Sequence, residues 1–133
     1  MGISGNTHAI FILFVKSQEQ SKTFYRELLG IEPTLDVPGM TEFAISNTAK
    51  LGLMPEEGIA RILDGKIRHP QSAGGAPRSE LYLYVDQPDD YFNRLEAAGG
   101  SQISAGAVRN WGDYVAYGTD PDGHLVAFAQ KRE

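Results

Sequence analysis

Residues 9–30 have the sequence AIFILFVKSQEQSKTFYRELLG and contain a complete strand-to-helix transition. The run from Ala9 to Val15 is rich in β-branched and aromatic side chains, which predicts a strand. Ser17 and Gln20 then form a Ser-x-x-Gln capping box, which predicts the start of a helix. Apolar residues recur at helical spacing until Gly30, a residue that tolerates the positive φ with which many helices end. We therefore expect a strand followed directly by a helix.

The rest of the first half predicts three short strands after this helix. Extended stretches cover residues 32–36, 40–46 and 50–54; the Pro38-Gly39 turn precedes the second and Pro55 follows the third. The predicted order of elements is therefore β-α-β-β-β.

The second half repeats this order at a constant offset. A strand pattern at residues 80–85 precedes an amphipathic segment that ends at Gly99-Gly100, and extended stretches follow at residues 102–104, 113–118 and 125–129. Two landmarks give the same spacing, because 85 − 15 = 70 for the valines and 100 − 30 = 70 for the glycines. The sequence predicts an α+β fold built from two tandem βαβββ modules.

The predicted boundaries divide one domain, residues 1–133, into three segments. We place the first module at residues 8–55, a linker at 56–77 and the second module at 78–131. The linker contains a Pro- and Gly-rich stretch that has few large apolar residues, preceded by one short helix near residues 57–63.

Composition excludes several classes of protein. The chain has 133 residues, a formal net charge of −5 and no cysteine, which excludes disulfides, cysteine zinc sites and thiol nucleophiles. Its basic residues are not clustered, so we expect no nucleic-acid partner. The longest apolar run, residues 9–15, is far shorter than the roughly 20 residues of a membrane span, so we expect no membrane partner and a cytoplasmic location.

Several short motifs, in this order and with this internal repeat, resemble the vicinal oxygen chelate superfamily, which includes glyoxalase I, extradiol dioxygenases and bleomycin resistance proteins. The resemblance covers nearly the whole chain, and it implies a curved sheet of the glyoxalase/bleomycin resistance type around a cleft. It rests on the residues Phe14-Val15-Lys16, Ser21, Phe24-Tyr25, Leu29-Gly30, Ala97-Ala98-Gly99-Gly100, Trp111-Gly112-Asp113 and Asp120-Pro121-Asp122-Gly123.

In metal-using members of this superfamily, four cleft positions bind the ion. The resemblance places them at Phe11, within residues 51–54 with Leu53 favoured by the internal repeat, at Glu80 and at Ala127. Only Glu80 has a side-chain donor, and one carboxylate is inadequate for a divalent ion. We therefore expect no metal and no other cofactor.

A second ligand set would consist of His8, Glu42, Glu80 and His124. His8 and His124 each lie three residues from a cleft position, and such residues on a strand point to opposite faces. We therefore expect both histidines to lie off the cleft.

Seven residues are candidates for the wall of a ligand-binding cleft. Glu80 is also the candidate catalytic residue, as a general base or a recognition group, although it could instead form a salt bridge with Arg78 or Arg109. Trp111 could clamp a flat ligand or cover the sheet edge. The predicted substrate-binding residues are Phe11, Leu13, Leu53, Glu80, Tyr82, Trp111 and Ala127.

The hypothesis that these residues favour is a metal-free protein that binds a small molecule, of the glyoxalase/bleomycin resistance type. The resemblance to bleomycin resistance proteins suggests a homodimer and a basic ligand. One alternative is an enzyme of the same superfamily, a lyase, isomerase or dioxygenase, that uses a non-standard metal site or Glu80 as acid and base. Another is a regulatory module whose own side chains fill the cleft.

Overall fold

The computed structural model describes residues 2–132, which form two compact units. The first unit comprises residues 2–26 and 31–72 of this range, and the second comprises residues 27–30 and 73–132. No helix in residues 2–132 is both long enough and apolar enough to cross a membrane.

The first unit contains a four-stranded sheet in the order β1-β4-β3-β2. β1 runs parallel to β4, and the other neighbouring strands are antiparallel. The elements are β1 (Ala9–Val15), α1 (Gln18–Leu29, whose last residues count with the second unit), β2 (Leu35–Val37), β3 (Met40–Ala44), β4 (Ala49–Pro55) and α2 (Glu56–Leu63).

The second unit repeats this topology with a sheet in the order β5-β8-β7-β6, in which only β5 and β8 are parallel. Its elements are β5 (Glu80–Tyr84), α3 (Pro88–Ala97), β6 (Ser101–Val108), β7 (Asp113–Thr119) and β8 (Leu125–Lys131), preceded by a short 3-10 turn at Pro70–Ala73. The prediction of an α+β fold with two βαβββ modules is confirmed.

Helix α3 covers one face of the second sheet. Its Leu95 is fully buried, and a Cβ added at Gly118 of β7 would lie 2.8 Å from a Leu95 methyl carbon, so glycine makes room for this contact. Tyr91 of α3 also packs against Phe128 of β8, with ring centroids 5.7 Å apart. We call the opposite side, which carries Tyr82, Ala127 and Tyr117, the open face of the second unit.

The first sheet places its odd-numbered β1 residues toward helix α1. Gln18 of α1 donates a hydrogen bond to the Thr41 hydroxyl at 2.9 Å, and Thr41 pairs with Leu53, which in turn pairs with Leu13. Because directly paired residues point to the same face of a sheet, Leu13 and Leu53 face α1. Phe11 has the same parity.

The assignment of Phe11, Leu13 and Leu53 to the wall of a ligand-binding cleft is therefore wrong for this sheet, because all three lie on the face that α1 covers. The face opposite α1 instead carries Ile10 and Ile12, whose side chains lie over Gly52. The prediction treated Phe11 and Glu80 as equivalent positions of the two modules. The internal repeat has an offset of 70, so the equivalent of Phe11 is Leu81, which lies on the α3 side of the second sheet.

Candidate functional site

The open face of the second unit consists of residues that pair in rows across the four strands. In one row, Tyr82 of β5 pairs with Ala127 of β8, and Ala127 pairs with Tyr117 of β7. In the next row, Tyr84 pairs with Ala129, and Ala129 pairs with Val115. Tyr82 and Tyr117 pack against a buried floor made by Val115, Ala127 and Ala129.

The carboxylate of Asp113 joins the two tyrosines of β5. Its Oδ2 atom accepts hydrogen bonds from the hydroxyls of Tyr82 at 2.7 Å and Tyr84 at 2.8 Å, and Asp113 is only 5% exposed. The hydrogen bond from Tyr82, followed by that from Tyr84, lowers the pKa of Asp113. Asp113 is therefore stabilised as an anion.

These hydrogen bonds span one intervening strand. Tyr82 and Tyr84 lie on β5 and Asp113 lies on β7, while β8 runs between them. Strands two positions apart are separated by about 10 Å, so the tyrosine side chains must extend across β8 to reach the carboxylate. The small side chains of Ala127 and Ala129 leave room for them.

A second layer of contacts fixes the two hydroxyls. The indole N–H of Trp111 donates to the Tyr82 oxygen at 3.0 Å, and the Lys131 ammonium donates to the Tyr84 oxygen at 3.4 Å. Burial, followed by the hydrogen bond to Asp113, raises the pKa of Tyr82 to about 12. The Tyr82 phenol is thus a neutral donor near pH 7. The hydroxyls of Tyr82 and Tyr84 each both donate and accept a hydrogen bond.

The turn between β6 and β7 places Trp111 on this network. The Arg109 N–H donates to the Asp113 carbonyl at 2.8 Å, and the Gly112 N–H donates to the Arg109 carbonyl at 3.0 Å. Gly112 has a φ of +100°, as the last position of such a three-residue hairpin turn requires. The tight turn leaves Trp111 57% exposed while its N–H is held by Tyr82.

The structure brings three of the predicted site residues, Tyr82, Ala127 and Trp111, onto the open face of the second unit. Phe11, Leu13 and Leu53 belong to the first unit. Glu80 shares the face of Tyr82 but is exposed and lies six residues, or about 20 Å, along the strand direction from the Asp113 row. The structure shows no salt bridge from Glu80 to Arg78 or Arg109 within residues 2–132.

Sequence reasoning missed Asp113 and Lys131 and considered Arg109 only as a salt-bridge partner. The available signal was the Gly112 turn, because a tight turn brings the residues on either side of it, Arg109 and Asp113, into one row. The hydrogen bonds from the β5 tyrosines to Asp113 could not be predicted, because they depend on the order of the strands in the sheet.

The residues at the implied metal positions do not fit a metal ion. With the repeat offset of 70, the position in the first module that corresponds to Glu80 is Ile10. The pair Tyr82–Ala127 corresponds to the pair Ile12–Gly52, so Gly52 corresponds to Ala127. Ile10, Gly52 and Ala127 have no side-chain donor. Across residues 2–132, no group of three or more His, Cys, Asp or Glu side chains could hold a metal, so the second ligand set is not assembled either.

We predict that Asp113→Asn weakens the acid dependence of stability. The pKa of Asp113 is lowered in the folded state, so its carboxylate contributes stability above the ordinary unfolded value of about 3.9 and loses it as the pH falls through the folded value. Urea unfolding between about pH 2 and pH 7 measures this dependence.

Asp36→Asn is the matched control in the first unit. The Lys22 ammonium, 2.9 Å away, and the Thr41 hydroxyl lower the pKa of Asp36, so this variant should remove a separate part of the acid dependence. An Asp113→Asn profile that keeps the full acid dependence of the parent protein would contradict the assignment.

Comparisons with known proteins agree with this fold. The chain is similar in structure to a glyoxalase-related enzyme from Fulvimarina pelagi, with 24% identity, 92% and 86% of the two chains covered and a TM-score of 0.77. A protein from Agrobacterium tumefaciens has 27% identity, coverage of 96% and 99% and a TM-score of 0.73. A glyoxalase/bleomycin resistance protein/dioxygenase family enzyme from Burkholderia phytofirmans PsJN has 15% identity, coverage of 92% and 96% and a TM-score of 0.76.

Among curated proteins, no relative matches the chain. The family model of the Glyoxalase/Bleomycin resistance protein/Dioxygenase superfamily matches residues 7–128, which is most of the sequence. The chain therefore belongs to the Glyoxalase/Bleomycin resistance protein/Dioxygenase superfamily.

Proposed function

We propose that this protein captures a small organic molecule on the open face of its second unit, and that capture needs no metal ion. The observation that carries this proposal is the position of Trp111, a largely exposed indole held by a hydrogen bond to Tyr82. An exposed aromatic ring that is fixed in place offers contact area at little further entropic cost when a ligand binds.

The hydrogen bonds of the tyrosines also favour a binding surface. Tyr82 and Tyr84 already donate to Asp113, and their oxygens accept from Trp111 and Lys131. Their hydroxyls are engaged by the protein, so the surface would contact a ligand mainly through ring faces. Such a surface suits a flat, largely apolar molecule.

Capture accounts for the residues better than acid–base catalysis does. Glu80, the candidate acid or base, pairs with Leu125, which in turn pairs with Thr119. A general acid or base needs a precisely placed reacting group and, for most reactions of this type, a second polar group near it. Neither a leucine nor a threonine supplies a partner carboxylate or imidazole there.

We predict that screening flat small molecules identifies ligands that quench or shift the fluorescence of Trp111, the only tryptophan of the chain. Binding should saturate and persist in the presence of a metal chelator, because the implied metal positions hold Ile10, Gly52 and Ala127. Trp111→Ala should weaken binding by about tenfold or more, as loss of an aromatic hot spot does, measured by calorimetry.

Val108→Ala is the matched control for this variant. Val108 is 61% exposed, close to the 57% of Trp111, and it pairs with Tyr114, whose hydroxyl donates to Asp89 of α3 on the other face. This variant should bind like the parent protein. Binding that requires an added divalent ion, or that survives Trp111→Ala unchanged, would contradict the proposal.

We also infer that the protein is a homodimer, as the resemblance suggests. β1 is an edge strand whose Ile10, Phe11 and Ile12 are 44%, 65% and 39% exposed, so apolar side chains on both of its faces meet solvent. An exposed apolar edge strand is a template for pairing with a second chain.

Sedimentation velocity tests this inference. The parent protein should sediment as a dimer, and Ile10→Lys should shift it toward a monomer because a buried unpaired ammonium is costly. Ile62→Lys, at an exposed position of α2, is the control and should remain dimeric. A parent protein that stays monomeric at concentrations well above micromolar would refute the inference.

A further inference from the structure

The guanidinium of Arg109 is held rigidly on the open face of the second unit. Its Nη2 atom donates to the Val115 carbonyl at 3.0 Å, to the Ser104 hydroxyl at 3.2 Å and to the Ala105 carbonyl at 3.4 Å. The guanidinium carbon lies 5.1 Å from the centroid of the Tyr117 ring. These contacts fix the plane of the cation and its position beside the floor of the face.

This cation has no carboxylate partner within residues 2–132. The structure shows no salt bridge for Arg109, and the carboxylate that shares its row, Asp113, is engaged by Tyr82 and Tyr84. The Nε atom of Arg109 is buried, and no atom of the described chain accepts a hydrogen bond from it. A partly buried guanidinium that is held only by neutral acceptors and an aromatic ring would be stabilised by an anion that another molecule supplies.

We propose that the captured molecule is a flat organic carboxylate and that Arg109 pairs with its carboxyl group. This inference rests on the proposed capture function and adds the chemical class of the ligand. A guanidinium forms charge-assisted hydrogen bonds with a carboxylate, and the hydrogen bonds that hold Nη2 orient the Nη1 group before the ligand arrives. The buried Nε atom is out of the ligand's reach. The rings of Trp111 and Tyr117 would then contact the flat body of the ligand.

A carboxylate fits this face better than a phosphate. The floor of Val115, Ala127 and Ala129 is apolar, and the other nearby cation, Lys131, lies 4.7 Å above the Tyr84 ring and is attracted by the Asp113 carboxylate. One unpaired cation beside an apolar floor matches a single negative charge on an organic body.

The unpaired charge of Arg109 argues against the basic ligand that the resemblance suggested for this part of the face. Glu80, the acidic residue considered for its recognition, lies on β5, whereas the Arg109 guanidinium contacts Ser104 of β6 and the Val115 carbonyl of β7. A cationic ligand beside Arg109 would therefore meet a like charge.

A matched panel of ligands tests the proposal. It contains flat aromatic carboxylates, the primary amides and the amines with the same ring systems, and inorganic phosphate. Affinity is measured by Trp111 fluorescence and by calorimetry, and the Nε–H signal of Arg109 is followed by NMR. The best carboxylates should bind about tenfold or more tightly than their amides, as expected for a hydrogen bond to a charged group, and they should shift the Arg109 signal.

Three variants assign this preference to Arg109. Arg109→Gln should abolish the preference for acids over amides, whereas Arg109→Lys should retain part of it. Arg132→Gln removes the same charge from an arginine that lies 4.4 Å over the Tyr114 ring, and it should bind like the parent protein. Circular dichroism checks folding, and the NMR titration of the parent protein decides the question if the Arg109 variants do not fold.

The outcomes separate this inference from the function on which it rests. Amides or amines that bind as tightly as the acids, with an unchanged Arg109 signal, would overturn the role of Arg109 and leave capture standing. If phosphate binds as tightly as the best acid, the proposal that the ligand is a flat carboxylate is overturned. If no compound of any class binds, both capture and this inference are contradicted.

Discussion

A buried carboxylate needs hydrogen-bond donors, and Asp113 obtains two of them from a strand that is not its neighbour. Tyr82 and Tyr84 extend from β5 across β8 to reach it on β7. This constraint determines much of the open face of the second unit. The hydroxyls of both tyrosines must point at the carboxylate, and the β8 residues beneath their rings must be small. The turn after Arg109 must be tight enough to place Trp111 on Tyr82.

The two units share a topology but present different chemistry on equivalent strands. Where β5 carries Glu80, Tyr82 and Tyr84, the 70-residue offset gives Ile10, Ile12 and Phe14 on β1. One copy therefore supplies a polar and aromatic surface, and the other supplies an apolar one. Duplication of a βαβββ module has kept the backbone pairing while the side chains of the exposed faces diverged, so the fold alone does not specify the function.

The alanine at position 127 illustrates this divergence. The resemblance places a metal ligand there, yet in this chain Tyr82 packs against the Ala127 methyl group on its way to Asp113. A side chain long enough to bind a metal would occupy the space that the phenol uses. The aromatic network and a metal site of the family type are therefore competing uses of the same position.

The fold could be predicted from the sequence because it depends on local signals. The capping box at Ser17, the glycines after α1 and α3 and the alternation of apolar residues all act within a few positions of the chain. The prediction of which β1 residues point to which face of the sheet was wrong. Every residue from Ile10 to Val15 is apolar, so no alternation of polar and apolar residues distinguishes the two faces. The register of the internal repeat contained the missing information.

The network of Asp113 could not be predicted for a different reason. It depends on which strands are neighbours and on the register of β6, which shifts between Gln102 and Ser104 and again between Ser104 and Ala107. These irregularities bring Ser104 opposite Tyr117, where its hydroxyl meets Arg109. Contacts of this kind arise from tertiary pairing and not from local pattern.

The most direct test of this account is a residue-resolved NMR titration of the Tyr82 ring at alkaline pH, in the parent protein and in Asp113→Asn. Burial and the hydrogen bond to Asp113 should hold the pKa of Tyr82 at about 12, and loss of the carboxylate should lower it toward the ordinary value of about 10. A Tyr82 that ionises near 10 in the parent protein, or whose pKa is the same in both proteins, would contradict the claim that Asp113 organises this face.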